Sequence, residues 1–305
     1  MLRQRGIKVE PVQLGNLTVL KGEKSGKYPA GNSVLVKDDV CLLIDPSLDV
    51  HKAGRESVAD HVDVILNSHA HEDHFAGNHL FPEAELRVHE EDAPQMRSLD
   101  ALLDAYGTPE PEREPMRKLL IEEFNYRPRS DLHTITDGEV LDLGRTRVHC
   151  VHTPGHTPGH LILLFEPDDV LFVADLDLTP FGPFYGDACA SLDDTITSVQ
   201  KMRSMADDLN ACISSHQAAI VSNGIGAVMD RYLDVVWERE ARLLAFLARP
   251  RTLDEIADHC IVYGKKYPNI PWQYQAERNM MSMHVDRLLA QRRVVVEGDG
   301  AIRAA

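Results

Sequence analysis

Residues 68–74 read Ser-His-Ala-His-Glu-Asp-His, so three histidines and an aspartate fall within six positions, in the order His69, His71, Asp73, His74. Imidazole and carboxylate are the donor set that suits zinc and similar divalent ions. Four donors this close in sequence cannot all reach one ion easily, so two neighbouring metals are the natural reading. Three further candidate ligands stand far downstream. His156 follows the apolar run 147–151, Asp175 follows 170–173 and His216 follows 211–215. The chemistry open to such a set is activation of water by metal and attack on a polarised bond.

The elements needed to gather these residues can be read from the chain. Residues 62–66, Val-Asp-Val-Ile-Leu, form a short apolar run of the kind that makes a buried strand, and the histidine cluster leaves its end. Ligands at the ends of several separate strands are how a sheet scaffold assembles one site from distant sequence. Residues 12–45 predict a meander of short strands, with 37–39 as a hairpin turn. Short helices are expected over 52–61 and from 75 to 80.

Taken together, the cluster from His69 to His74, the segment His152-Thr153-Pro154-Gly155-His156-Thr157-Pro158-Gly159-His160, the strand end Leu171-Phe172-Val173-Ala174-Asp175, Ser214-Ser215-His216 and Leu43-Ile44-Asp45-Pro46 resemble the metallo-β-lactamase-fold hydrolases, in the branch of glyoxalase II, lactonases and thioesterases. Order and spacing agree over about residues 30–220. The resemblance implies an α/β fold, a four-layer αββα sandwich. It implies that His69, His71 and His156 hold a first metal, that Asp73, His74 and His216 hold a second, and that Asp175 bridges both. The ions would be zinc, with iron or manganese as alternatives, roughly 3.5–4 Å apart and sharing a hydroxide. Asp45 and His160 would orient ligands through hydrogen bonds. Asp73 is expected to handle a proton as well as bind metal. Tyr185, on the irregular loop 176–187, is expected as a donor to a developing oxyanion, and Asp177 as a residue that tunes a metal or meets substrate. The sequence departs from the family at its last ligand, where Ser214-Ser215-His216-Gln217 replaces Pro-Gly-His-Gly. Ser68 replaces a threonine and keeps its hydroxyl.

The charged, proline-bearing stretch 89–130 reads as a helical insertion, with helical periodicity over 98–106 and 114–124. Tyr106, Phe124 and Tyr126 would line a pocket or pack the insertion onto the core. A helix over 191–206 is expected to face the core. From about residue 225 the pattern turns to helices over 228–248, from 252 and over 276–291, then a hairpin over 293–302. This tail resembles a winged helix, so residues 1–224 are expected as a catalytic domain and 225–305 as a smaller helical domain that packs on it or makes a homodimer contact.

Hydrophobic content of 43%, charged content of 26% and a net charge of −16 fit an ordinary globular protein and disfavour a broad nucleic-acid surface. No apolar run nears the ~20 residues of a membrane helix. Residues 1–6 show no apolar leader segment, and the five scattered cysteines form no Cys-x-x-Cys pair, so reduced thiols and a cytoplasmic protein are expected. The glycine-bearing stretch 22–27 is one residue short of a phosphate loop. His149 and His152 are expected to be packing or surface residues. The expected activity is hydrolysis of a small ester, thioester or lactone. A phosphodiesterase or ribonuclease, a mononuclear iron persulfide dioxygenase and an inactive metal-binding scaffold are the rival readings.

Overall fold

The computed structural model describes residues 10–217, 219–267, 270, 272–298 and 300–305. The N-terminal residues 1–6 and Asp299 of the C-terminal hairpin lie outside the described residues. Strands β1 (Glu10–Leu14), β2 (Leu17–Lys21), β3 (Ser33–Lys37), β4 (Cys41–Ile44), β5 (Val64–Leu66), β6 (Glu85–His89) and β7 (His133–Ile135) lie side by side in chain order in one sheet. The first four pair antiparallel, and β4 to β7 pair parallel. A second sheet holds β8 (Val140–Asp142), β9 (Arg147–His152), β10 (Leu161–Glu166), β11 (Val170–Ala174), β12 (Ala211–Ser214) and β13 (Ile220–Val221), also side by side in chain order.

Period-two alternation explains why the sheets stack. Leu17, Val19, Val34, Val36, Leu42 and Ile44 point from the first sheet into one cluster with Val148, Cys150, Leu163, Phe165, Phe172 and Ile213 of the second. Their neighbours along the strands face outward and are covered by helices. Leu35, Leu43 and Ile65 pack under α1 (Leu48–Ala53), α2 (Glu72–Phe75), α3 (Ala93–Arg97), α4 (Leu99–Tyr106) and α5 (Glu110–Glu122). Ile162, Leu171 and Val173 pack under α6 (Leu192–Ser204) and α7 (Ile225–Phe246). The four-layer αββα sandwich expected from the sequence is therefore the observed one.

Strand direction gathers the ligand loops at one edge. β4 and β5 run parallel, as do β11 and β12, so residues after each pair emerge together. β10 runs antiparallel to β9 and β11, which brings the β9–β10 loop to the same edge as the end of β11. The two sheets are stitched there by Leu161 N–H donating to Ser68 O at 2.9 Å.

Two early helices begin sooner than periodicity suggested. α1 starts at Leu48 because Ser47 caps it, its Oγ accepting from Val50 N–H, and Gly54 closes it with φ +79°. α2 spans Glu72–Phe75, ahead of the expected 75–80; a 3₁₀ turn follows at Asn78–Leu80. Beyond α7 come α8 (Leu253–Asp258), with the capping box of Thr252 and Glu255, then α9 (Gln273–Ala290) and the hairpin of β14 (Val294–Val296) and β15 (Ile302–Ala304). The apolar cluster of this C-terminal region also takes in Tyr185, Leu192 and Ile196 from the main body. No helix among the described residues is long and apolar enough to cross a membrane.

Candidate metal centre

Three imidazole nitrogens face one another at the strand edge. His69 Nε2 and His71 Nδ1 are 3.1 Å apart, His71 Nδ1 and His156 Nε2 3.0 Å, and His69 Nε2 and His156 Nε2 3.3 Å. Beside them, His216 Nε2 stands 3.3 Å from Asp73 Oδ2, and His74 Nε2 3.7 Å from Asp73 Oδ1. Asp175 lies between the groups. Its Oδ2 is 3.4 Å from His156 Nε2 and 3.5 Å from His216 Nε2, while its Oδ1 is 3.1 Å from His74 Nε2. The structure thus brings together all seven residues expected as ligands, in groups of four (His69, His71, His156, Asp175) and three (Asp73, His74, His216).

The outward nitrogen of each ring is anchored, which fixes where its lone pair points. His74 Nδ1–H donates to Asp45 Oδ2 at 2.9 Å. Ser68 Oγ–H donates to the same oxygen at 2.6 Å, so the hydroxyl is left to accept from His69 Nδ1–H at 3.0 Å. His156 Nδ1–H donates to Phe184 O at 3.0 Å, and His216 Nδ1–H to Gly26 O at 2.7 Å. His71 is turned over, with Nε2 3.1 Å from Asp187 Oδ2 and Nδ1 aimed inward. With the outward nitrogens engaged, the inward nitrogens of the five rings are the ones left to bind a cation or a proton. Asp73 Oδ2 is buried and makes no hydrogen bond within the protein, and the buried Asp175 Oδ1 and His74 Nε2 have only each other, 3.1 Å apart. Buried polar atoms normally find partners, so these residues fit divalent cations.

The electrostatics agree. Burial and the neighbouring His74 hold His69 well below the usual imidazole range, and burial with His71 lowers His156 to about 4. Burial opposes protonation of His216 too, yet Asp175 and Asp73 carry it up to about 10. Asp187 likewise overcomes burial at His71 and raises it to about 9. Burial pushes Asp73 up to about 6 against the pull of His74 and His216. Without cations, protons are the only positive charge available to the buried carboxylates.

Asp45 anchors His74 as expected, and Ser68, for which no such role was expected, joins Asp45 to His69. His160 acts on the backbone: its Nε2 accepts from Asp175 N–H at 3.3 Å, which leaves Nδ1–H to donate to Thr153 Oγ1 at 2.9 Å. His152 stacks on His89, and His149 pairs with Glu166, away from the ligands. The stretch 22–27 supplies the Gly26 carbonyl behind His216. Tyr185 corrects the expectation of an oxyanion donor. It is fully buried in the C-terminal cluster, its hydroxyl accepting from Arg239 at 3.0 Å and lying 2.9 Å from His284 Nε2. The adjacent Phe184 lines the cavity instead. Of the insertion aromatics, Tyr106 lines the cavity, while Phe124 and Tyr126 are buried. Asp177 also lines it, raised to about 6 by burial and Asp175.

Sequence reasoning missed Asp92, whose buried carboxylate accepts from Ala70 N–H at 2.9 Å, Thr157 Oγ1 at 2.8 Å and Gly159 N–H at 2.7 Å. It ties the His69–His71 loop to the His156 loop. Gly155 lets that second loop press on α6, since a Cβ there would sit 2.3 Å from Thr195 N. The departure at the last ligand has a local consequence. Gln217 takes φ +48°, where glycine is unstrained. Gln217→Gly is expected to stabilise the fold by about 1 kcal/mol, read as a raised melting temperature; a lowered one would show that the Gln217 side chain supports the loop.

Residues 28–216 match the sequence profile of the metallo-β-lactamase superfamily. The chain is 28% identical over 136 residues to a hydroxyacylglutathione hydrolase of Rhodospirillum rubrum, covering 44% of this chain and 42% of that one. It is 23% identical over 133 residues to an atrochrysone carboxyl ACP thioesterase of Pseudocercospora fijiensis, covering 43% and 37%. The chain thus spans about two fifths of the length of these relatives. Its fold is similar to that of a metallo-β-lactamase family protein from Thermus thermophilus, with TM-score 0.73, 21% identity and coverage of 95% and 99%. A β-lactamase domain protein from Burkholderia ambifaria gives TM-score 0.71 at 15% identity, covering 100% and 96%. With the profile spanning every ligand and the fold matched over nearly its whole length, the chain belongs to the metallo-β-lactamase superfamily.

Proposed function

We propose that this protein is a metal-dependent hydrolase of a small ester, thioester or lactone, with two divalent ions, zinc first among the candidates, held by the two ligand groups. The observation that carries the reading is Asp175, whose carboxylate stands between imidazole clusters on either side. When bound, such ions bring the pKa of a water near neutrality and polarise a carbonyl. Asp73 is assigned to receive the proton of the attacking water, since it lines the cavity and has an oxygen with no hydrogen bond in the protein. Asp45, Ser68, Asp187 and the Phe184 and Gly26 carbonyls hold the rings in place. A thiol nucleophile has no support: burial pushes Cys150 and Cys212 up to about 12, and no cysteine lines the cavity among the described residues. Two of the similar proteins are thioester hydrolases by name.

Elemental mass spectrometry of freshly purified protein tests the reading. Two ions per chain, with hydrolysis lost to a chelator and restored by zinc, is the expected result. One iron per chain with oxygen consumption and no hydrolysis would overturn it.

Metal affinity should rise with pH. In the metal-free protein His71, near 9, and His216, near 10, hold protons at pH 7 on a ring that must give one up to bind. Their pKa values are raised, so the protonated form persists below them and competes with metal. Binding at pH 7 should therefore release protons, detectable by calorimetry in buffers of different ionisation enthalpy. Heat independent of the buffer would refute this.

A further inference from the structure

The cavity above the ligands has a volume of about 280 Å³. Aromatic and acidic side chains are prominent in its lining. Tyr28, Tyr106, Phe181, Phe184 and Trp272 give it aromatic walls. Trp272 reaches over from the start of α9 and meets Tyr28 edge-on at 6.3 Å and Phe184 at 6.4 Å. Apart from the candidate ligands His71, His156 and His216, the charged lining is of one sign. Glu72, Asp73, Glu112, Asp175, Asp177 and Asp187 contribute six carboxylates, and no lysine or arginine lines the cavity among the described residues. Two divalent ions would bring four positive charges, so the carboxylates outnumber them. Several of these acids are fixed in place. Glu72 accepts from Tyr28 Oη–H at 2.7 Å and from Tyr106 Oη–H, and Asp187 is paired with His71.

A site that takes an anionic handle ordinarily presents cations or unpaired backbone N–H groups to it. Glutathione carries two carboxylates, coenzyme A and phosphopantetheine carry phosphates, and each would meet carboxylates here. We infer that the site selects substrates without an anionic handle: an uncharged ester, thioester or lactone whose apolar body lies among Tyr28, Phe184 and Trp272. The inference rests on the hydrolase reading and narrows it. It sets this chain apart from a glutathione thioesterase despite the sequence similarity to one, and a phosphodiester is disfavoured by the same charges.

Matched substrates test it. The butanoyl thioesters of N-acetylcysteamine, of glutathione and of coenzyme A share one scissile bond and differ in charge. The zinc-loaded protein is expected to cleave the neutral thioester with kcat/KM on the order of 100-fold above either anionic one, because like charges brought together are strongly disfavoured. Glu112→Lys, which reverses a rim charge, should narrow that ratio about tenfold. Trp272→Ala should raise KM for the neutral thioester more than it lowers kcat. A binding readout needs no turnover: in a Trp237→Phe background, the neutral thioester should quench Trp272 emission of the metal-free protein and the coenzyme A thioester should not. Equal or better cleavage of an anionic thioester would overturn the charge inference and leave the hydrolase reading standing. Cleavage of none of the three, nor of a neutral ester and lactone, by protein holding two ions would sink both.

Discussion

Asp175→Ala is expected to cut the metal content to one ion or fewer per chain and to slow hydrolysis at least ~1,000-fold. The carboxylate stands within 3.1–3.5 Å of His74, His156 and His216, so on the proposed bridging role both groups would lose a donor, and the cluster loses the negative charge between its imidazoles. Asp175→Asn, which keeps the shape and removes the charge, should behave nearly as badly. The residue is held where it is by local backbone strain: Ala174 has φ +47°, and the β11–β12 register slips between Phe172 and Ala174. A left-handed alanine costs about 1–2 kcal/mol, and strain of this kind collects at functional sites. Full metal content with retained activity in Asp175→Ala would show that it bridges nothing.

Arg239→Met is expected to cost about 3 kcal/mol of stability or more, seen as a lower urea midpoint. Arg239 is the largest of the fully buried side chains. Its Nη1 donates to Pro183 O at 2.6 Å and Tyr185 Oη at 3.0 Å, and its Nη2 to Phe181 O at 2.6 Å. Methionine nearly fills the space but leaves the buried Pro183 carbonyl and the part-buried Phe181 carbonyl without this donor. The loop so clamped carries Phe184, whose own carbonyl anchors His156. Activity should therefore fall with stability, and metal should leave the first group more readily. A stability within about 0.5 kcal/mol of the parent would contradict the assignment of Arg239 as the clamp.

The seven candidate ligands were legible because they follow four apolar strand runs on four short loops, and such loops keep motif spacing. Asp45, at the end of β4, was legible for the same reason. Of the cavity walls, Tyr106, Asp177 and the loop 176–187 were legible in part, and the rest was not. Asp187 and Asp92 act across 116 and 22 residues of separation from His71 and Ala70, and Trp272 meets Phe184 across 88, and no local period marks such pairs. The error at Tyr185 is of one residue. In the irregular loop after β11 neither a helical nor a strand period tells inside from outside, and Phe184 faces the cavity while Tyr185 turns back to the C-terminal helices. The insertion was read correctly as helical, with α4 and α5 close to the expected spans. Only one of its three aromatic candidates reaches the cavity, because Phe124 and Tyr126 lie past the end of α5 and turn into the core.

Trp272 lies well beyond residue 216, where the superfamily profile ends, and Tyr106 lies in the helices inserted between β6 and β7. Part of the wall is thus encoded apart from the candidate ligand loops, while Phe184 and Asp187 serve the wall and the anchoring of His156 and His71 alike. A recombined insertion would reshape the entrance alone, whereas a recombined tail must also restore the Arg239 clamp on the loop that carries Phe184.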